Sequence, residues 1–140
     1  MAEPVLEITR LFDAPPERVF DAWLGYAWGE WVGPRDVHGE IIALEPRVGG
    51  QYRIVMHRPN AEPLTVSGIY REVVPNRRLV FSWAWQSTPE RQSQVSIDLR
   101  PDGDGTMLTL THEQFADQKA CDDHRVGWTY ALDNLERLFA

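Results

Sequence analysis

The last quarter of the chain carries the pattern that most limits its fold. Cys121, His124, Trp128, Ala131, Leu132, Leu135, Leu138 and Phe139 recur at steps of three and four residues, the spacing of one face of an α-helix. Asp117 stands where an N-cap would, with no Glu or Gln three residues on to complete a capping box. A helix from there to the end would be about 36 Å long. It cannot persist alone in water, so its apolar stripe must be buried. Each large side chain buried there contributes roughly 1.5–3 kcal/mol.

The surface that receives the stripe is legible upstream. Val5–Phe12 reads as a first strand. Asp13-Ala14-Pro15-Pro16 opens a helix with Val19, Phe20, Trp23 and Leu24 at helical spacing, stopping near Gly25. Tyr26–Val32 reads as a second short helix, ended by Gly33-Pro34. From about His38 the period changes to two. Glu40–Leu44, Gln51–Arg58, Leu64–Val74, Arg78–Trp85, Gln92–Arg100 and Thr106–His112 read as strands. Asp102-Gly103-Asp104-Gly105 is the strongest hairpin signal between them. Short turns between consecutive strands imply an antiparallel meander, because parallel pairs need long crossovers. Helices at both ends of such a run make the class α+β, as one domain over residues 1–140.

A twisted sheet curves away from a straight helix, so the two touch at one end and part at the other. The Leu- and Phe-rich C-terminal half of the stripe suits tight packing. The half with His124, Gly127 and Trp128 is expected to stand off. Tyr52, Ile54 and Met56 alternate on one face, as do Phe81, Trp83 and Trp85, and Val95 with Ile97. We therefore expect a gap lined by Tyr52, Ile54, Met56, Phe81, Trp83, Val95, His124 and Trp128, with Trp31 and Trp85 nearer its mouth. Leu64–Val74 is apolar on both faces and receives no assignment.

Composition narrows the function. The formal net charge of −7 opposes phosphate, so nucleic acid is not an expected partner. Arg71, Arg77 and Arg78 read as solvated strand ends rather than a basic patch. No apolar run approaches the ~20 residues of a membrane span. Met1-Ala2-Glu3-Pro4 has neither a basic start nor an apolar stretch, so no signal peptide is expected. Cys121 is the one cysteine, which precludes an internal disulfide and suits a cytoplasmic setting. Six tryptophans either fill a core or line a pocket for an apolar ligand.

Reaction chemistry is sparsely signalled. His124, on the buried stripe one turn before Trp128, is the one candidate acid or base. A partly buried histidine satisfied by a strand side chain or water is preferred to the catalytic reading, and contact with a ligand stands level with it. His38, His57 and His112 are scattered over a loop and strands, without the spacing of a zinc site, so no metal is expected. No nucleophile elbow, phosphate loop or dinucleotide fingerprint is present, so no cofactor is expected. Cys121 reads as a small core residue. The leading reading is a binder of a small hydrophobic molecule. A cavity enzyme of cyclase or hydrolase type using His124 is the alternative, and a protein-interaction module follows. A homodimer is compatible with the sequence but not indicated by it.

The motifs resemble one family nearly end to end. They are Phe12-Asp13-Ala14-Pro15 with Val19-Phe20-Asp21-Ala22-Trp23, Trp31-Val32-Gly33-Pro34, and Gly49-Gly50-Gln51-Tyr52-Arg53. Further on come Gly68–Pro75, Arg78–Trp83, Thr111-His112-Glu113-Gln114-Phe115, and His124 with Gly127-Trp128. Together they resemble the SRPBCC (START-like, helix-grip) superfamily, in its bacterial branch related to the activator of heat-shock-protein-90 ATPase. Val32 stands where that pattern commonly has a second aromatic residue. The resemblance implies a β-α-α-β6-α helix grip, a curved antiparallel sheet wrapped around a long C-terminal helix and enclosing a cavity. Its functions range from lipid binding to cyclases and chaperone activation, so a chaperone partner is a weaker expectation and no catalytic residue set carries over.

Overall fold

The computed structural model describes residues 4–33 and 36–140. β1 (Leu6–Phe12) leads into α1 (Pro16–Leu24) and α2 (Trp28–Trp31). β2 (His38–Leu44), β3 (Gln51–His57), β4 (Leu64–Val74), β5 (Arg78–Trp85), β6 (Ser93–Asp102) and β7 (Gly105–Glu113) follow, and α3 (Gln118–Leu138) ends the chain. Pro34, read above as part of the stop after α2, lies outside the described residues.

The strands form one seven-stranded sheet in the order β1-β7-β6-β5-β4-β3-β2. Every pairing is antiparallel. The first strand closes against the last, with Leu6 opposite His112 and Phe12 opposite Thr106. This is the α+β helix-grip architecture that the alternating pattern and terminal helices imply.

Local chemistry explains the element ends. Asp117 is the N-cap of α3 and its carboxylate accepts the Ala120 N–H at 2.8 Å, satisfying one of the donors a helix start leaves open. α1 begins at Pro16 behind an extended Pro15 that makes no side-chain cap, so Asp13 does not cap it. A proline suits that first turn because its missing N–H would have had no partner. β4 slips register against β5 between Tyr70 and Glu72. That bulge switches which residues face inward: Val66 and Tyr70 are buried before it, and Val73 packs on the core after it. A bulge of this kind is why both faces of β4 carry apolar residues.

The stripe of α3 is anchored by Ala131, Leu132 and Leu135, all at 0% exposure. Leu138 is a correction to the expected stripe, since it is 42% exposed. The last anchor is Phe139, edge-on to Phe12 at 6.1 Å, with the Arg18 guanidinium 5.3 Å from its ring centroid. Arg10 pairs with Asp133 at 2.5 Å, and Asn134 donates to the Gly33 carbonyl at 2.9 Å. These bonds tie the C-terminal half of α3 to β1 and to the end of α2.

α2 lies backbone to backbone on β2. A Cβ added at Gly29 would sit 2.3 Å from the Gly39 oxygen, and one at Gly39 would sit 2.8 Å from the Gly29 oxygen. Arg71 and Arg78 are engaged across the sheet surface, as expected of strand residues. Arg78 reaches Asp98 at 2.6 Å and Glu72 at 3.2 Å, and Arg71 donates to Gln94 at 2.8 Å. Among the described residues, no helix is long and apolar enough to cross a membrane.

Candidate functional site

The N-terminal half of α3 presents Ala120, Asp123, His124, Gly127 and Trp128 along one side, at helical spacing. They face Met56 at the end of β3, Leu64 at the start of β4, and Trp83 and Trp85 on β5. Val32 and Val37 close a third side. The space between them is an apolar-walled cavity of about 530 Å³, within the size range of small-molecule sites. Arg58, Arg91, Asp117, Lys119 and Asp123 supply its charged groups. A Cβ added at Gly127 would meet nothing within 4 Å. Glycine inside a helix costs about 1 kcal/mol relative to alanine, and here it leaves empty space beside the cavity.

The indole and imidazole groups along this wall are bonded to one another. Trp85 Nε1 donates to His124 Nε2 at 3.0 Å, and Trp83 Nε1 approaches the same atom at 3.3 Å. His124 Nδ1 lies 2.7 Å from the Ala120 carbonyl. A carbonyl only accepts, so Nδ1 carries the proton and Nε2 offers its lone pair to the indoles. Behind them, Trp128 Nε1 donates to His112 Nδ1 at 3.0 Å. His112 therefore carries its proton on Nε2, donating to Ser93 Oγ at 2.7 Å, and the serine hydroxyl donates on to the Trp83 carbonyl at 3.1 Å. The two imidazole centroids are 5.0 Å apart.

Both histidines are held neutral. Burial pushes His112 well below the ordinary histidine value, and the neighbouring His124 pushes the same way. Burial also lowers His124, against smaller opposing effects from the Ala120 carbonyl and Asp123. In each case desolvation penalises the charged form. Burial raises the Cys121 thiol, which keeps it protonated and inert as a small core residue.

Met56, Trp83, Trp85, His124 and Trp128 come together on the cavity wall. Tyr52, Ile54, Phe81, Val95 and Trp31 do not. They are core residues at 0–1% exposure. The reason is the layer formed by α1 and α2. Trp28 packs on Tyr52 and Phe81 with centroids at 5.1 and 5.5 Å, and Trp23 lies 5.8 Å from Trp128. These rings fill space that alternation along the strands alone leaves open. The Tyr52 hydroxyl donates to the Ser82 carbonyl at 2.5 Å, and burial raises its pKa well above the ordinary tyrosine value. Trp31 is not at the mouth. It is edge-on to Trp23 at 4.6 Å, and its indole N–H donates to the Ala22 carbonyl at 3.0 Å.

Sequence reasoning missed His112 and the charged groups. Parity could have found His112, since it follows Thr106, Leu108 and Leu110 on the buried face of β7. Parity also places Arg58 on the side of Met56, two residues earlier. Leu64 lies directly opposite Met56 across the β3–β4 pair.

The family described as "Activator of Hsp90 ATPase homolog 1-like protein" matches residues 13–140. The chain belongs to this family. A solved protein from Chromobacterium violaceum is 25% identical, with 97% of this chain and 96% of that one covered at a TM-score of 0.90. The AHSA1 protein from Silicibacter pomeroyi is 28% identical, with 95% of each chain covered at a TM-score of 0.83. CalU16 from Micromonospora echinospora is 26% identical over 97% of this chain and 76% of its own, at a TM-score of 0.72. A search of curated proteins returns no match. Membership in the family accounts for the helix grip.

Proposed function

We propose that this protein binds a small, largely apolar molecule in the cavity between the N-terminal half of α3 and strands β3–β5. The observation that carries the reading is the bonding of the wall. Every indole N–H on it already ends on an imidazole, so apart from the charged groups at Arg58, Arg91, Asp117, Lys119 and Asp123 the surface offered to a guest is ring faces, Met56, Leu64 and valine methyls. Such a surface favours an apolar occupant, because a polar group placed against it would lose its water and gain no partner. Three tryptophans in the wall make intrinsic fluorescence the direct test. Titration with a panel of fatty acids, sterols and polyphenols should give a saturable change that Gly127→Leu removes while the thermal melt stays intact. A flat response across the panel would overturn the reading.

The same bonding argues against His124 as a general base. Its one lone pair is directed at two indole donors and its proton at a backbone carbonyl, so proton transfer would first require breaking that arrangement. The family description favours one second reading, a partner role toward a chaperone ATPase. Its test is stimulation of ATP hydrolysis by an Hsp90 homologue from the same host, with an unchanged rate counting against it.

A further inference from the structure

The cavity's charged groups are not equivalent. Asp123 is paired with Lys119 at 2.7 Å, one turn away on α3. Asp117 holds the Ala120 N–H as N-cap and lies 3.6 Å from Arg91. Both carboxylates are thus engaged, and each has a cation beside it. Arg58 differs. Its Nε donates to the Glu62 carbonyl at 2.9 Å, and Nη2 donates to the same oxygen. Among the described residues it has no carboxylate partner. A guanidinium has five N–H donors in a fixed fork. Two are used to pin the side chain across the β3–β4 turn, and three have no partner among the described residues. Three cations and two carboxylates give this site a local balance of +1, in a chain whose formal net charge is −7.

From this geometry we infer that the ligand is an amphipathic anion, an apolar body in the cavity with a carboxylate or comparable acid group on Arg58. The inference rests on the binding reading above and adds the head group to it. The wall cannot anchor a polar head, because His124 and the indole N–H groups are spent on one another. The head must therefore lie at the charged side. Arg58 is held in place before any ligand arrives, which lowers the ordering cost of binding. Its planar fork suits a two-oxygen acid better than a lone hydroxyl. Lys119 and Arg91 each already face a carboxylate whose charge offsets theirs, which leaves Arg58 as the cation of this site without an acid beside it among the described residues.

Decanoate, decanol and decylamine share one apolar body and differ in the head, and calorimetric titration of the full chain with each separates the possibilities. Decanoate should bind about tenfold tighter than decanol, and decylamine more weakly than either. Arg58→Gln should remove that advantage and leave decanol within about twofold, with Arg58→Lys in between. The thermal midpoint of both variants should match the parent, since Arg58 lies just beyond β3 and its bonds to the Glu62 carbonyl are exposed. Equal binding of decanoate and decanol, or a decanoate advantage that survives in Arg58→Gln, would overturn the acid-head inference while leaving the binding reading standing. Failure of all three to bind would overturn the acid-head inference, and a flat response across the fluorescence panel as well would overturn both.

Discussion

The six tryptophans fall into two groups of three, and the groups are held by different physics. Trp23, Trp28 and Trp31 come from α1 and α2 and are buried to 1% exposure or less. Trp31 has a carbonyl acceptor, but the indole N–H groups of Trp23 and Trp28 have no partner among the described residues. Trp83, Trp85 and Trp128 come from β5 and α3, and each indole N–H ends on an imidazole. The first group contributes volume: its rings pack on all sides, and the unpaired N–H groups are a cost that packing outweighs. The second group borders the cavity: Trp83 and Trp128 are buried at 4% and 3% exposure, and Trp85 is partly buried. Directional bonds add to packing here and fix the rings at the wall. Deep burial and orientation are therefore separate jobs here, given to the same residue type.

The comparison can be broken by substitution. Trp28→Ala should have the largest effect, a loss of about 3–5 kcal/mol in urea denaturation, from emptying the space over Tyr52 and Phe81. The paired substitutions Trp128→Phe and Trp23→Phe are the sharper instrument. Both remove similar volume, but only the first strips His112 of its donor. It should cost about 1–3 kcal/mol more than the second, and equal costs would mean that the imidazole bonds do not hold the wall.

Acid should act on the second group. Both histidines sit below their ordinary value in the folded state, so the unfolded chain takes up protons that the folded one refuses. Stability from this source is complete above about pH 6.5 and declines as pH falls through the folded values. The decline is at most about 1.4 kcal/mol per pH unit for each histidine. Urea midpoints between pH 7.5 and 5 should show the slope, and His124→Gln should reduce it while His112 keeps its own share. Gly127→Ala should stabilise by about 1 kcal/mol or less, since its methyl meets only empty space. The smallest effect is expected from Lys119→Ala, a thermal midpoint that does not move resolvably, because its ion pair with Asp123 is exposed.

Much of the fold was legible because period and punctuation agree along most of the chain. The strand boundaries, the Asp117 cap and the inward set Tyr52-Ile54-Met56 follow directly from alternation and turn residues. β4 resisted because its bulge shifts the parity at Tyr70, and one strand then carries two patterns. The site was legible in part. The half of α3 bearing His124 and Trp128 does border the cavity, as do Met56, Trp83 and Trp85. Tyr52, Ile54, Phe81 and Val95 were misplaced because periodicity shows which face a residue takes, but not how thick the layer above it is. Trp23 and Trp28 supply that thickness. The imidazole bonds were out of reach, since a pattern fixes neither a rotamer nor a tautomer.

The contact between Gly29 and Gly39 bears on how the cavity could be retuned. With main chain against main chain, no side chain at that joint can shorten, lengthen or turn aside. The jaw formed by α2 and β2, with Val32 just after the helix and Val37 just before the strand, is therefore a fixed reference. New ligand preference has to arise on the opposite jaw, at Arg58, Leu64 and Gly127, where side chains end in open space or solvent. A library aimed at altered recognition would hold positions 29 and 39 constant and vary those three.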